Sequence, residues 1–570
     1  MDLLHRIATA RGRLPADLVL KNTRLINVYS GEIETTDIAI ADGVVVGLGD
    51  YEGKAEVDLD GAYAAPGFID GHVHIESSMT TPASFARIVL PKGTTTVIAD
   101  PHEIANVSGV KGIEFMLENA KASPLGVHVM IPSCVPTNAH ENAGASITVE
   151  DVETLSSKPG VLGLGEVMDY PAVLSADPDI HGKISVMAGR PIDGHAPDIL
   201  GKDLNAYAVS GIMTDHECTR PESLRARVSR GMYVHLRQGS ATRNVKDLLE
   251  GVTQKNMRRL MFCTDDKHPE DIDKEGHINY NVNLAIAAGV DAVEAIRMAS
   301  LNIAECYGLN HIGAIAPGKD ADIIVFDDLN DIAPTRVYKK GILVAEDGHA
   351  LFKHENIHDE ALTDSIKVKE DAIDFTLPLK HGRVHVIGLV KNNITTKKSI
   401  RDVRVLDGVY THDPGLDILK LAVIERHRAS GNIGIGLVEG FGIENGAIAM
   451  SIAHDSHNLI VIGDDDEAMK TATDALIACK GGIIIVQDGV VVAKLPLEIA
   501  GLMTREDPEE VAKKLADMRQ IVRSMGLHED IDDPFITLAF LALPVIPLIK
   551  LTDRGLFDVE NNRFIDIEAA

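Results

Sequence analysis

A chain of 570 residues is too long for one hydrophobic core, so two to four domains are expected. Its 45% hydrophobic and 25% charged residues are those of an ordinary soluble globular protein. A formal net charge of −30 argues against nucleic acid as a partner, because the phosphates would be repelled.

The N-terminus, Met1 to Arg6, lacks the apolar core of a signal peptide. Five scattered cysteines without a CxxC pair suit a reducing cytosol, so a cytoplasmic location is expected. Residues Ala16 to Ala64 read as short Val/Ile-rich strands with turns such as Asp42-Gly43. Pro66-Gly67 then marks a loop feeding Phe68-Ile69-Asp70-Gly71-His72-Val73-His74-Ile75-Glu76. On a strand, residues i and i+2 share a face, so His72 and His74 aim side by side, as two ligands of one metal must.

One rhythm repeats from there to Asp266: a short apolar run, a polar end, then a helix-like stretch. The runs are Gly67–Glu76, Thr94–Glu103, Val127–Val135, Val161–Met168, Arg190–Ala196, Gly211–Glu217, Met232–Gln238 and Leu260–Asp266. Eight such units predict an α/β fold, a (β/α)8 barrel of the TIM type. Strand-like stretches at Ala321–Phe326 and Gly341–Ala345 match those before the barrel in kind. The expected organisation is a small β-sandwich from both flanks (1–65 and 313–365), the barrel (66–312), and a C-terminal α+β domain (366–570). A polar stretch from Asn356 to Glu370 reads as a linker. In the last domain Arg383–Val390, Gly482–Val486 and Val490–Ala493 read as strands and Pro508–Met525 as a helix. The apolar run Phe535 to Ile549, broken by Pro544 and Pro547, is too short for a membrane span and reads as core.

In such barrels the chemistry sits at the C-terminal strand ends. Here those ends read His72/His74, His102-Glu103, Glu166, His195, His216-Glu217 and Asp265-Asp266. Imidazole and carboxylate ligands suit Mn²⁺, Fe²⁺ or Zn²⁺. Four histidines (His72, His74, His195, His216) with Glu166 and Asp265 exceed the needs of one tetrahedral ion. They match two ions about 3.5–4 Å apart bridged by a carboxylate. The glycines of Gly163-Leu164-Gly165-Glu166 permit close backbone packing there. One of Asp265 and Asp266 is expected to take the proton of an activated water. Asp265 is favoured, because its neighbour can turn outwards on the pleat.

His102-Glu103 and His216-Glu217 begin like HExxH but lack the second histidine. The HxE…PCxxC deaminase signature and the phosphate-binding glycine loops are missing as well.

These segments, together with Asp100–Asn106, Asp193–Pro197, Thr264–Pro269, Met298–Asn302 and Gly313–Asp322, strongly resemble the amidohydrolase superfamily. Ala453-His454-Asp455-Ser456-His457-Asn458 and Leu551-Thr552-Asp553-Arg554-Gly555-Leu556 narrow the resemblance to bacterial and archaeal adenine deaminases. The resemblance implies hydrolysis of adenine to hypoxanthine and ammonia, a step of purine salvage and catabolism. It also implies a binuclear centre with Mn²⁺ or Fe²⁺ and assembly as a homodimer or another homo-oligomer. Glu166 stands where many superfamily members carry a carboxylated lysine, which fits this branch. A glutamate is expected where Gln238 stands. Glu217, Glu103 and His268 are the candidate proton shuttles, and His102 and Asp266 are candidate neighbours of the substrate or the ligands. His454 and His457, three apart, would share a face if helical. A hydrogen-bonded domain contact or active-site wall is favoured for them over a third metal site. Other readings are hydrolysis of another purine or a cyclic amide, and a non-catalytic scaffold on a degenerate barrel. The complete ligand set disfavours the scaffold.

Overall fold

The computed structural model describes residues 3–569 apart from 198, 355, 356, 358 and 392. Strands Phe68–Val73, Thr94–Ala99, Gly126–Ile131, Val161–Val167 and Ile192–Gly194 pair in parallel in chain order. Thr214–Asp215, Tyr233–Arg237 and Leu260–Cys263 form a second parallel set. The sets meet on both sides. Met213 N–H donates to Ile192 O at 3.0 Å, and Asp265 N–H donates to His72 O at 3.0 Å. His74 N–H returns a bond to Asp265 O at 3.1 Å, so among the described residues a ring of eight strands closes. The strands are buried on both faces, as helix-covered parallel strands must be, which is why they read as apolar runs.

Several strands stop before their polar ends. Arg190–Ala196 contributes only Ile192–Gly194, and Gly211–Glu217 only Thr214–Asp215. His195 and His216 thus lie just past the last paired residue, where the backbone is free to turn inward. His102 and Glu103 do not end a strand as expected. They open the helix His102–Ser108, one step after Pro101.

The flanks join in one nine-stranded sheet among the described residues. Its seam is antiparallel, with Ala64 opposite Val325 and Ala65 opposite Ile324. Asn356, where the expected linker begins, lies outside the described residues. Further on, an eight-stranded sheet runs from Arg383–Val390 to Val490–Pro496. Helix Pro508–Ser524 packs on one of its faces. Val511, Leu515, Met518 and Val522, spaced four, three and four apart, make one buried stripe. Asp507 caps that helix by accepting the Glu509 N–H, with Pro508 in the first turn. Arg519, on its outer side, reaches the barrel at Glu270 (3.1 Å) and pairs with Asp533, which also holds His268 Nδ1 at 3.0 Å. Phe535 to Ile549 folds as helical turns leading into a buried strand, and no described helix is long and apolar enough to cross a membrane.

Candidate metal centre

The strand ends converge on Glu166. Its Oε1 lies 3.3 Å from His74 Nε2 and 3.8 Å from His72 Nε2, while its Oε2 lies 2.7 Å from His195 Nδ1 and 3.2 Å from His216 Nε2. Asp265 Oδ1 completes the first side at 3.1 Å from His74 and 3.5 Å from His72. Within each side the two imidazole nitrogens face each other at 3.2 Å. Ligands about 2.0–2.1 Å from one ion lie about 3.0–3.4 Å from each other, so both spacings fit a shared cation. His74 Nδ1 donates to Asp100 O at 2.8 Å, which leaves the Nε2 lone pair aimed into the cluster, the tautomer a metal ligand needs. The residues present therefore fit a divalent-metal site, which His72, His74, Glu166, His195, His216 and Asp265 would hold.

The local fold explains why Glu166 stands still. Its backbone N–H donates to Asp100 Oδ2 at 2.8 Å. A Cβ on Gly165 would meet that same oxygen at 2.2 Å, so this approach requires glycine. His102 Nδ1 stands 3.2 Å from Glu166 Oε1, and its Nε2 is 3.4 Å from Glu103. Burial would raise the Glu166 carboxyl, but His216, His102 and His195 outweigh it and hold the group well below the usual range.

Arg237, not among the expected site residues, organises the other side. Its Nη1 donates to Asp265 Oδ2 at 2.7 Å and to Glu217 Oε1. Burial pushes both carboxyls up, yet the guanidinium keeps both lowered. Asp266 differs: burial and the adjacent Asp265 raise it, and its carboxylate accepts from the Ser77 hydroxyl. Asp265, at φ 61°, is the aspartate turned to the histidines. Its one signal in sequence was its place at the eighth strand end. Arg237 gave a weaker signal, since an arginine at a strand end ordinarily reads as solvated.

Beneath His216 lies a buried pair. Arg227 Nε donates to Asp215 Oδ2 at 2.8 Å, and the rest of the guanidinium donates to Ile199 O and Ala196 O. Asp215 Oδ1 in turn accepts the Glu217 N–H at 2.8 Å. Both side chains are fully buried. Arg227→Met is therefore expected to destabilise the protein by about 3–5 kcal/mol, because it leaves a buried carboxylate unpaired. Urea denaturation of the metal-loaded protein checks this, and a loss under ~1 kcal/mol would show the pair to be dispensable.

The cluster opens into a cavity. His74, His102, Glu103, Glu166, His195, His216, Glu217, Arg237, Asp265 and Asp266 line one side. The C-terminal part supplies the other: Ile394, His454, Asp455, Phe540, Leu543, Val545 and Ile546. His268 and His457 line an adjoining cavity, which shares Glu103, Asp266 and His454 with the first. Gln238 lines neither, and its buried side-chain oxygen has no hydrogen-bond partner. His454 and His457 sit on a turn, not a helix, and Glu103 lies within ligand distance of both.

Comparison with known proteins agrees with this geometry. Residues 63–348 match the amidohydrolase family and residues 393–563 the adenine deaminase C-terminal domain. "Adenine deaminase 2" of Carboxydothermus hydrogenoformans is 49% identical over 97% of this chain and 97% of its own. The adenine deaminase of Geobacillus kaustophilus is 48% identical over 100% of this chain and 99% of its own. That of Desulfatibacillum aliphaticivorans is 46% identical over 98% and 99%.

Proposed function

We propose that this chain, which belongs to the amidohydrolase family and to its adenine deaminase branch, hydrolyses adenine to hypoxanthine and ammonia. The observation that carries the reading is the convergence of His72, His74, His195, His216 and Asp265 on the two oxygens of Glu166, at the floor of a cavity. His72, His74 and Asp265 would hold one ion with Glu166 Oε1, and His195 and His216 the other with Oε2. This imidazole and carboxylate set suits Mn²⁺ or Fe²⁺, with Zn²⁺ as a third fit. When bound, such ions supply a nucleophile from water at neutral pH.

The chain's own residues do the rest. Asp265, kept ionised by Arg237, is placed to accept the water's proton. Glu217, held by the same guanidinium, lines the cavity as an oriented carboxylate for a proton relay. Ile394, Phe540, Leu543 and Ile546 cover the site with apolar surface that suits the faces of a flat ring and excludes bulk water. The pairing of Ala64 with Val325 supports reading 1–65 and 313–365 as one β-domain beside the barrel.

The test is ammonia release by Mn²⁺-reconstituted protein offered adenine, with adenosine, guanine and cytosine in parallel. Release from adenine alone is expected. Silence on adenine, with about two ions bound per chain, would move the assignment to another purine or a cyclic amide.

A further inference from the structure

Glu103, His454 and His457 form a second cluster at the wall of the site, all three buried. Glu103 Oε1 meets His454 Nδ1 at 2.7 Å, and Oε2 meets His457 Nε2. The donor set is that of a metal site, but the hydrogen bonds argue otherwise. Ala453 N–H donates to His457 Nδ1 at 3.3 Å, so that nitrogen presents its lone pair and Nε2 carries the hydrogen. A metal-bound histidine has the reverse arrangement, donating with its outer nitrogen, as His74 does to Asp100 O. Glu103 is thus a carboxylate accepting from two imidazoles. Each of its oxygens accepts from one imidazole, which makes Glu103 the group that positions both rings.

His454 is the one of the pair that also reaches the reaction cavity. Its ring stacks on Phe540, with centroids 4.5 Å apart and planes at 22°, which fixes its orientation. With Nδ1 on Glu103, the opposite ring edge carries Nε2, which has no hydrogen-bond partner among the described residues. The other candidates are poorer donors. Arg237 keeps Glu217 an ionised carboxylate, fit to accept a proton rather than to give one, and His268 pairs with Asp533 in the adjoining cavity.

Resting on the adenine reading above, we propose that His454 is the proton donor of the reaction, positioned by Glu103 and presenting its Nε2–H to the purine ring nitrogen beside the carbon under attack. As the water oxygen bonds to that carbon, the imidazolium gives its Nε2 proton to the ring nitrogen and becomes neutral. The water's two protons leave, one with the departing amine as ammonia and one to solvent. Solvent then reprotonates His454, and atoms and charge balance.

The charged surroundings are consistent with an imidazolium. Glu103 faces it from the barrel helix, Asp266 from the loop after the eighth strand, and Asp455 and His457 from its own turn. Burial would lower its basicity, but Glu103, with Asp266 and Asp455, raises its pKa to about 9. A group that must be protonated gives a rate that falls as pH rises through its pKa.

The test uses full-length, Mn²⁺-loaded protein with ammonia release from adenine followed across pH. His454→Gln is expected to bind metal like wild type, to lose about 10²–10⁴-fold in kcat, and to lack the alkaline limb of the profile. Glu103→Gln removes the carboxylate that holds the imidazolium, so its alkaline limb should move to lower pH. A merely structural role would lower rates without moving that limb. Full activity in His454→Gln, or an alkaline limb unmoved in Glu103→Gln, would overturn the proposal while leaving the adenine reading intact. The second variant decides if the first fails to fold. A wild-type protein inert toward adenine would overturn both.

Discussion

Asp265→Asn is expected to keep nearly all of the metal and to lose turnover by roughly 10³-fold or more. The asparagine carbonyl can still occupy the Oδ1 position facing His72 and His74, so the ligand count survives. What disappears is the anion. The Arg237 bond to Oδ2 and the surrounding imidazoles keep the native carboxylate ionised inside a buried site, where it can accept a proton. An amide cannot accept one. Asp266→Asn is the control. Asp266 is raised by burial, engages Ser77, and stands outside the ligand contacts, so its replacement should cost far less. Parallel metal analysis and steady-state kinetics decide. An Asp265→Asn variant with wild-type turnover would remove this residue from proton transfer and return the question to its neighbour.

The barrel was legible in sequence because parallel strands covered on both faces read as apolar runs, and because their polar ends repeat one set of residue types. That periodicity places His72, His74, Glu166, His195 and His216 at strand ends, and leaves Asp265 and Asp266 together at the eighth. It does not give the strand lengths. Ile192–Gly194 and Thr214–Asp215 are short because His195 and His216 turn out of the sheet, a constraint that no local propensity expresses. Arg237 was missed because a basic strand-end residue is ordinarily solvated, and only the meeting of Glu217 and Asp265 makes it a buried anchor. The contact of Glu103 with His454 joins residues 351 apart, through a turn that sequence spacing read as a helix face. Such a contact depends on how the C-terminal sheet sits on the barrel mouth, and no pattern within either segment encodes it.

Glu166→Ala should abolish both activity and binuclear metal binding, because its two oxygens serve opposite sides of the cluster. Oε1 faces His72 and His74, and Oε2 faces His195 and His216 at 2.7 and 3.2 Å. Without the carboxylate, the His195–His216 side keeps two neutral imidazoles and too little negative charge to hold a dication in a buried site. The His72–His74 side retains Asp265. The expected metal content is therefore one ion or fewer per chain instead of about two, with ammonia release at background. His195→Ala sharpens the test, since it should empty one side only and leave the bridge in place. Thermal unfolding should follow the same order, because ions that bind only the folded chain stabilise it by mass action. Adding chelator to wild type should lower its Tm towards that of Glu166→Ala and change the variant little. A Glu166→Ala protein that still carried two ions per chain would show that the histidines and Asp265 suffice, and the bridge would lose its place in the mechanism.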